Sequence, residues 1–202
     1  MSRVCVFLDR DGTINEEIQF LRTPDDLVLI PGAADAIRKL NDRGIATCVI
    51  SNQSGVARGF LTEEDLGPIH RELQRKLHEA AGARIDRIYY CPHHPTEGIA
   101  PYNIVCDCRK PATGMLQRAR SELHVDLDQS FVVGDRGVDV QVGKAVGATT
   151  ILVLTGYGRT ALEEFGREKL TPDHVAPSLS GAVEHILMNL SNRKLQTNAR
   201  TR

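Results

Sequence analysis

The sequence predicts an α/β protein: a three-layer, Rossmann-like arrangement of a mostly parallel sheet with helices on both faces. Two observations point there. Short, unbroken apolar runs alternate with segments of helical periodicity along most of the chain. Several of those runs also stop abruptly at carboxylate, hydroxyl or basic residues, which is where open parallel sheets bind their ligands.

The elements follow in order. Residues 4–8, Val-Cys-Val-Phe-Leu, form a continuous apolar run, as expected of a strand buried on both faces. Pro31-Gly32 opens a helix carrying Ala33, Ile37 and Leu40 and closing at Gly44. Residues 45–50 read as the second strand. Thr62 followed by Glu63, Glu64 and Asp65 reads as a helix start with acids in its first turn. Ile69, Leu73 and Leu77 then recur four apart, and Gly82 ends the helix. Residues 85–90 read as a third strand, and residues 91–111, rich in Cys, His and Pro, break the rhythm. A helix over 114–124, a strand over 131–133, a helix over 138–146 and a strand over 150–154 follow. A short strand at 174–176 and a helix over 182–190 complete the pattern. The polar tail 191–202, with Arg193, Lys194, Arg200 and Arg202, is expected to be disordered.

Composition narrows the classes. A chain of 202 residues, 41% hydrophobic and 25% charged, is expected to form one globular domain over residues 1–190. Its 25 basic and 26 acidic residues leave a net charge of -1, which argues against a nucleic-acid partner. No apolar run approaches the roughly 20 residues a membrane helix needs. Arg3 precedes only a short apolar stretch ending at Asp9, unlike a signal peptide. A cytoplasmic protein is expected, and a monomer, because no heptad pattern or large apolar stripe requires a partner.

The first strand runs directly into Asp9-Arg10-Asp11-Gly12-Thr13. Two carboxylates one residue apart on extended backbone point to one side, and they repel unless a cation lies between them. Mg²⁺, a hard ion bound through oxygen, would relieve that repulsion. Gly134-Asp135 ends the 131–133 strand and offers a third ligand, with Asp139 four residues on. Ser51, Asn52 and Gln53 end the second strand with hydroxyl and amide donors suited to phosphate, and Arg109-Lys110 adds two cations. One such segment would be an ordinary turn. Four together, each read as directly following a strand, amount to the parts for phosphoryl transfer.

Cys91-Pro92-His93 and Cys106-Asp107-Cys108 bracket twelve residues. Both members of each pair point to one side in extended backbone, so the four can close a Cys₃His tetrahedron around a structural zinc. His94 is the alternative to His93. A Cys106/Cys108 redox pair is disfavoured because that chemistry usually leaves two residues between the cysteines. Cys5 and Cys48, inside apolar runs, read as core.

The ordered set Asp9-x-Asp11-Gly12-Thr13, Ser51-Asn52, Lys110-Pro111 and Gly134-Asp135-x-x-x-Asp139 resembles the four motifs of the haloacid dehalogenase superfamily of phosphatases. The resemblance implies that Asp9 is the nucleophile and Asp11 the acid and base. It implies Mg²⁺ held by Asp9, the Asp11 backbone carbonyl and Asp135, with Ser51 and Lys110 on the phosphoryl oxygens. The Cys/His loop and the run Asn52-Gln53-Ser54-Gly55-Val56-Ala57-Arg58-Gly59 are similar to those of the zinc-bearing heptose bisphosphate 7-phosphatases. That likeness implies zinc on Cys91, His93, Cys106 and Cys108, and Arg109 as a substrate contact. It also implies a small sugar phosphate as substrate, in a step feeding nucleotide-activated heptose for lipopolysaccharide-type surface polysaccharide. Histidinol-phosphate phosphatases, whose loop is shorter, are the alternative. The stretch 15–21 departs from the heptose pattern. No insertion is long enough for a separate cap domain, so this stretch and the zinc loop are expected to roof the site.

Phospho-accepting receiver modules share the fold and the Mg²⁺. In them, however, the acceptor Asp stands alone at a central strand end. Of the remaining histidines, His70 and His78 on a charged helix read as solvated surface, His124 follows a helical stretch, and His174 and His185 are scattered; none has a nucleophile beside it.

Overall fold

The computed structural model describes residues 3–165 and 170–200. Its strands are β1 (Cys5–Leu8), β2 (Ala46–Asn52), β3 (Arg87–Cys91), β4 (Phe131–Gly134), β5 (Thr149–Val153) and β6 (His174–Ala176). They form one sheet in the order β3-β2-β1-β4-β5-β6, with every neighbouring pair parallel. The helices are α1 (Ala33–Asp42), α2 (Glu63–Ala81), α3 (Gly114–Leu123), α4 (Gly137–Ala145), α5 (Gly158–Phe165) and α6 (Leu179–Arg200).

The period-two alternation of the strands divides the core into layers. Val6 and Leu8 of β1 face α1, α2 and α6, where Ile37, Leu40, Leu73 and Ile186 are fully buried. Cys5 and Phe7 face the other way, toward Met115 and Leu116 of α3 and Val142 of α4. Both faces of the sheet are therefore covered, which is why its strands read as unbroken apolar runs. Cys5 and Cys48 are core residues, as expected. The start of α2 is fixed by a reciprocal cap. Thr62 N–H donates to the Asp65 carboxylate at 2.7 Å, and Thr62 Oγ1 accepts from Asp65 N–H at 3.3 Å.

Three differences from the expected reading have local causes. α5 was not expected, because its buried stripe is only Ala161 and Phe165, too short a period to stand out. α6 continues to Arg200, through most of the tail expected to be disordered. Arg193 holds this extension: its guanidinium donates to Gln129 O at 3.1 Å and lies 5.2 Å over the Phe131 ring. Arg202, also placed in that tail, lies outside the described residues. His70 is half-buried against Tyr90, with ring centroids 5.5 Å apart, rather than solvated. His174 and His185 stack face to face at 3.7 Å across the β6–α6 junction.

The topology locates the site. From β1 the chain moves outward to β2 and β3, then returns to place β4 on the other side of β1. A crevice opens at the carboxyl ends of two strands where the winding reverses in this way. Leu8 is the register partner of Val133, and Asp9 N–H donates to Val133 O at 2.9 Å. Asp9 and Asp135 thus leave adjacent strands side by side. Among the described residues no separate cap domain covers the crevice. Phe20 from the segment after β1 and Arg109 from the Cys/His loop line it instead. Among the described residues no helix is long and apolar enough to cross a membrane.

Candidate active site

Three carboxylates and one ammonium form the floor. Carboxylate oxygens of Asp9, Asp135 and Asp139 lie within 4.8 Å of one another, and all three residues are buried. Lys110 Nζ donates to Asp139 Oδ1 at 2.6 Å, Asp9 Oδ1 at 2.9 Å and Ile50 O at 2.8 Å, using its three hydrogens. Burial alone would lower the lysine pKa, but the charges of Asp139 and Asp9 outweigh it and hold the pKa above its usual value. One cation does not neutralise three anions. Burial raises the Asp135 carboxyl to about 8, with Asp9 and Asp139 adding to the shift. Burial likewise raises Asp9 to about 6 against the pull of Lys110. Asp135 Oδ2 accepts from Tyr157 N–H at 2.7 Å, whereas its Oδ1 is buried without a partner. Gly12 (φ 77°) and Gly156 (φ 53°) pack on this carboxylate: a Cβ on either would come within 2.2 Å of Oδ2.

Asp11 is held apart from that cluster. The chain bends at Arg10, and both Asp9 and Asp11 line the cavity above the floor. Arg10, fully buried, grips both Asp11 oxygens at 2.8–3.1 Å. Asn15 donates to Oδ1 and Gln53 to Oδ2, each at 2.9 Å. Burial raises the Asp11 pKa, but Arg10, Asn15 and Gln53 together bring it below the usual carboxylate value.

The donors expected at the end of β2 divide by what they touch. Ser51 Oγ accepts from Gln53 Nε2 at 2.7 Å, which leaves its own hydrogen free for the cavity. The Asn52 side chain is clasped to the Lys110 backbone by reciprocal bonds of 3.0 and 3.1 Å. The Gln53 amide is spent on Ser51, Asp11 and Arg10. Both Nε2 hydrogens of Gln53 are taken, so it positions Asp11. Asn52 positions Lys110 and lines the cavity with its second Nδ2 hydrogen.

Above the floor lies a cavity of about 810 Å³. Arg58, Arg109 and Arg136 line it, giving a positive wall for an anionic ligand. Arg136 lies 3.9 Å over the Tyr157 ring and pairs with Glu17 at 3.1 Å, and Arg58 pairs with Glu97. Arg10, Asn15, Arg58 and Arg136 escaped the motif reading. The signal for Arg136 is its place directly after Asp135 at a strand end, and for Arg10 its place between two acids.

The Cys/His loop closes as a knot beside this wall. Ligand atoms of Cys91, His93, Cys106 and Cys108 lie within 4.8 Å of one another. The sulfurs stand 3.1–3.5 Å apart, with His93 Nδ1 3.3 Å from the Cys108 sulfur. Four soft donors converging with no disulfide among them fit a tetrahedral zinc. His94 is not part of the set; its Nδ1 accepts from Glu97 N–H at 3.0 Å. Arg109 donates to His93 O at 3.0 Å, so the knot fixes a cavity residue directly.

A switch-point crevice holding an Asp-x-Asp segment, a buried lysine and a carboxylate cluster defines a haloacid dehalogenase-like phosphatase. A family model described as HAD-hyrolase-like matches residues 107–182. The chain is 41% identical over 196 residues to a D-glycero-D-manno-heptose-1,7-bisphosphate 7-phosphatase of Thermosynechococcus vestitus, covering 96% of this chain and all of that protein. It is 43% identical to the D-glycero-beta-D-manno-heptose-1,7-bisphosphate 7-phosphatase of Escherichia coli K12, over 75% of this chain and 79% of that one. A crystal structure of the D,D-heptose 1,7-bisphosphate phosphatase from B. bronchiseptica, complexed with magnesium and phosphate, superposes with a TM-score of 0.81 at 33% identity. That match covers 92% of this chain and 99% of the other. The chain belongs to the heptose bisphosphate phosphatase family of haloacid dehalogenase-like hydrolases, and it is a phosphoric monoester hydrolase.

Proposed function

We propose that this phosphatase removes the 7-phosphate of D-glycero-D-manno-heptose 1,7-bisphosphate through an aspartyl-phosphate intermediate. Full-length similarity to proteins of that name supports the substrate. The placement of Asp9 carries the mechanism: it sits at the end of β1, with Oδ1 held by Lys110 and by the Arg10 N–H at 2.8 Å.

The arriving phosphoryl group is bound by the Ser51 hydroxyl and drawn in by the arginine wall. Asp9 attacks phosphorus, and the bond to the sugar oxygen breaks. Asp11, on the cavity surface, acts in its protonated form, which the donors around it make the minority form, and gives that proton to the oxygen. A water then attacks the aspartyl-phosphate and returns a proton to Asp11, so the enzyme ends as it began. Lys110 balances the charge around Asp9 throughout. Glu17, Gln19 and Phe20, in the stretch that departs from the heptose pattern, line the cavity and would meet the sugar.

Mg²⁺ would be held by the Asp9 and Asp135 carboxylates and the Asp11 backbone carbonyl. The unpartnered Asp135 Oδ1 and the surplus of negative charge suit such an ion. When bound, it supplies charge for the transferring phosphoryl group. Zinc would be held by Cys91, His93, Cys106 and Cys108 in a structural role.

The test is phosphate release with Mg²⁺ from the heptose bisphosphate in both anomers, fructose 1,6-bisphosphate, histidinol phosphate and an aryl phosphate. Preference for the heptose bisphosphate, abolished in Asp9→Asn, is expected. Preference for histidinol phosphate would move the substrate, and no turnover with any of them would end the enzymatic reading.

A further inference from the structure

Among the described residues Arg10 is the largest fully buried side chain, and it is not one of those that line the cavity. Its ion-pair partner is Asp11, whose side chain is 22% exposed. Burying a guanidinium is costly, and an apolar side chain of similar volume is often as stabilising as a buried pair. What the pair does provide is geometry. Two guanidinium nitrogens grip both carboxylate oxygens, and Arg10 NH2 also donates to Gln53 Oε1 at 3.1 Å, tying in the side chain that holds Asp11 from β2. Asn15 closes the other side. The Asp11 carboxylate thus has neighbours fixed on both of its oxygens, and it lines the cavity.

The chemistry of the clamp is one-sided. The guanidinium and the two amide NH₂ groups donate hydrogen bonds and cannot take a proton from Asp11. A proton that Asp11 gains or gives must therefore cross on the cavity side, where the leaving oxygen and the attacking water would stand.

We propose that Arg10, with Gln53 as its second arm, is a positioning residue that aims Asp11 for both proton transfers. This rests on the reading of Asp9 as nucleophile and Asp11 as acid and base. In the first transfer the O–H bond of Asp11 breaks as the sugar oxygen leaves phosphorus and takes the proton. In the second, a water O–H bond breaks, Asp11 regains the proton, and the bond from phosphorus to Asp9 is cut.

An aryl phosphate separates this role from a structural one, because its leaving group departs without an acid. Arg10→Met, Arg10→Lys and Asp11→Asn are compared with wild type in the Mg²⁺-loaded enzyme, with thermal unfolding as the folding control. Expected for Arg10→Met is a fall in kcat of about 10²-fold on the sugar phosphate with KM nearly unchanged, the usual scale of acid–base assistance. On the aryl phosphate it should release about one equivalent of phenolate in a burst and then turn over slowly, because the intermediate forms but waits for its water, as in Asp11→Asn. Arg10→Lys should recover part of the loss. Equal losses on both substrates without a burst, or no loss at all, would overturn the proposal. If Arg10→Met does not fold, Gln53→Met is read by the same criteria. A missing burst in Asp11→Asn itself would instead remove the acid–base reading beneath it.

Discussion

Lys110 Nζ stands 2.6 Å from Asp139 Oδ1, an ion pair with both side chains 1% exposed. Asp139 is therefore the counterion that keeps a buried ammonium aimed at Asp9, although it lies four residues beyond the strand-end Asp135. Removing one partner of a buried pair strands the other, at a cost of about 3–5 kcal/mol. Lys110 would keep Asp9, so Asp139→Ala should cost up to that amount, read from urea unfolding as the midpoint shift times the slope, and lower kcat at least about tenfold.

The carboxylate cluster ties stability to pH and Mg²⁺. Asp9 and Asp135 have folded-state pKa values raised to about 6 and about 8, so the metal-free fold holds protons that the unfolded chain has released. Its stability should fall as pH rises from the ordinary carboxylate range, about 4, through 8. Mg²⁺ binding displaces those protons and so favours high pH. The thermal midpoint gained on adding Mg²⁺ should widen steadily between pH 5 and 8, and calorimetry near pH 7 should record proton release. A gain independent of pH would contradict the cluster as the ion's site.

Gly156 permits that cluster to exist. A Cβ there would lie 2.2 Å from Asp135 Oδ2 and 2.6 Å from Gly12 Cα. Gly156→Ala should destabilise the fold by about 1–3 kcal/mol through overpacking and weaken Mg²⁺ binding in a titration. Gly44→Ala is the control, since Gly44 also has positive φ but nothing within 4 Å. It should show backbone strain alone.

The Cys/His knot and the reaction centre are joined by a very short length of chain. Cys108 precedes Arg109 and Lys110 directly, and Asn52 clasps the Lys110 backbone. Stripping zinc with a strong chelator and restoring Mg²⁺ should raise KM for the sugar phosphate by at least about tenfold, because a 1 Å misplacement is costly. The Asp9 phosphoenzyme should still form. Unchanged KM and unchanged thermal stability would show that zinc plays no part.

Much of this arrangement was legible in the chain. Residues 4–8 read as a buried strand because both faces of β1 are covered, and the acids after it mark its carboxyl end. The Cys-x-His and Cys-x-Cys pairs read as a knot because their chemistry is rare and their spacing specific. What escaped was decided by contacts distant in sequence. Arg10 looked like one more charge in an alternating run until Gln53 and Asn15 arrived beside it. Gln53 looked like a phosphate donor because a sequence cannot tell which partner an amide chooses. The end of α6 looked like a tail because Arg193 finds its partners on Gln129 and Phe131, far upstream.

The sheet order also bears on how the protein is made. Val6 pairs with Thr47 on one side but with Phe131 on the other. A chain leaving the ribosome could build β1, β2 and α1 early, with Asp9 already in place. Asp135 and the Tyr157 N–H that fixes it emerge much later. Until then the nascent chain carries Asp9 without the Asp135 carboxylate beside it. On the proposed mechanism, synthesis must pass Tyr157 before the chain turns over a phosphate ester, and a ribosome-bound chain ending before Asp135 is expected to be inert.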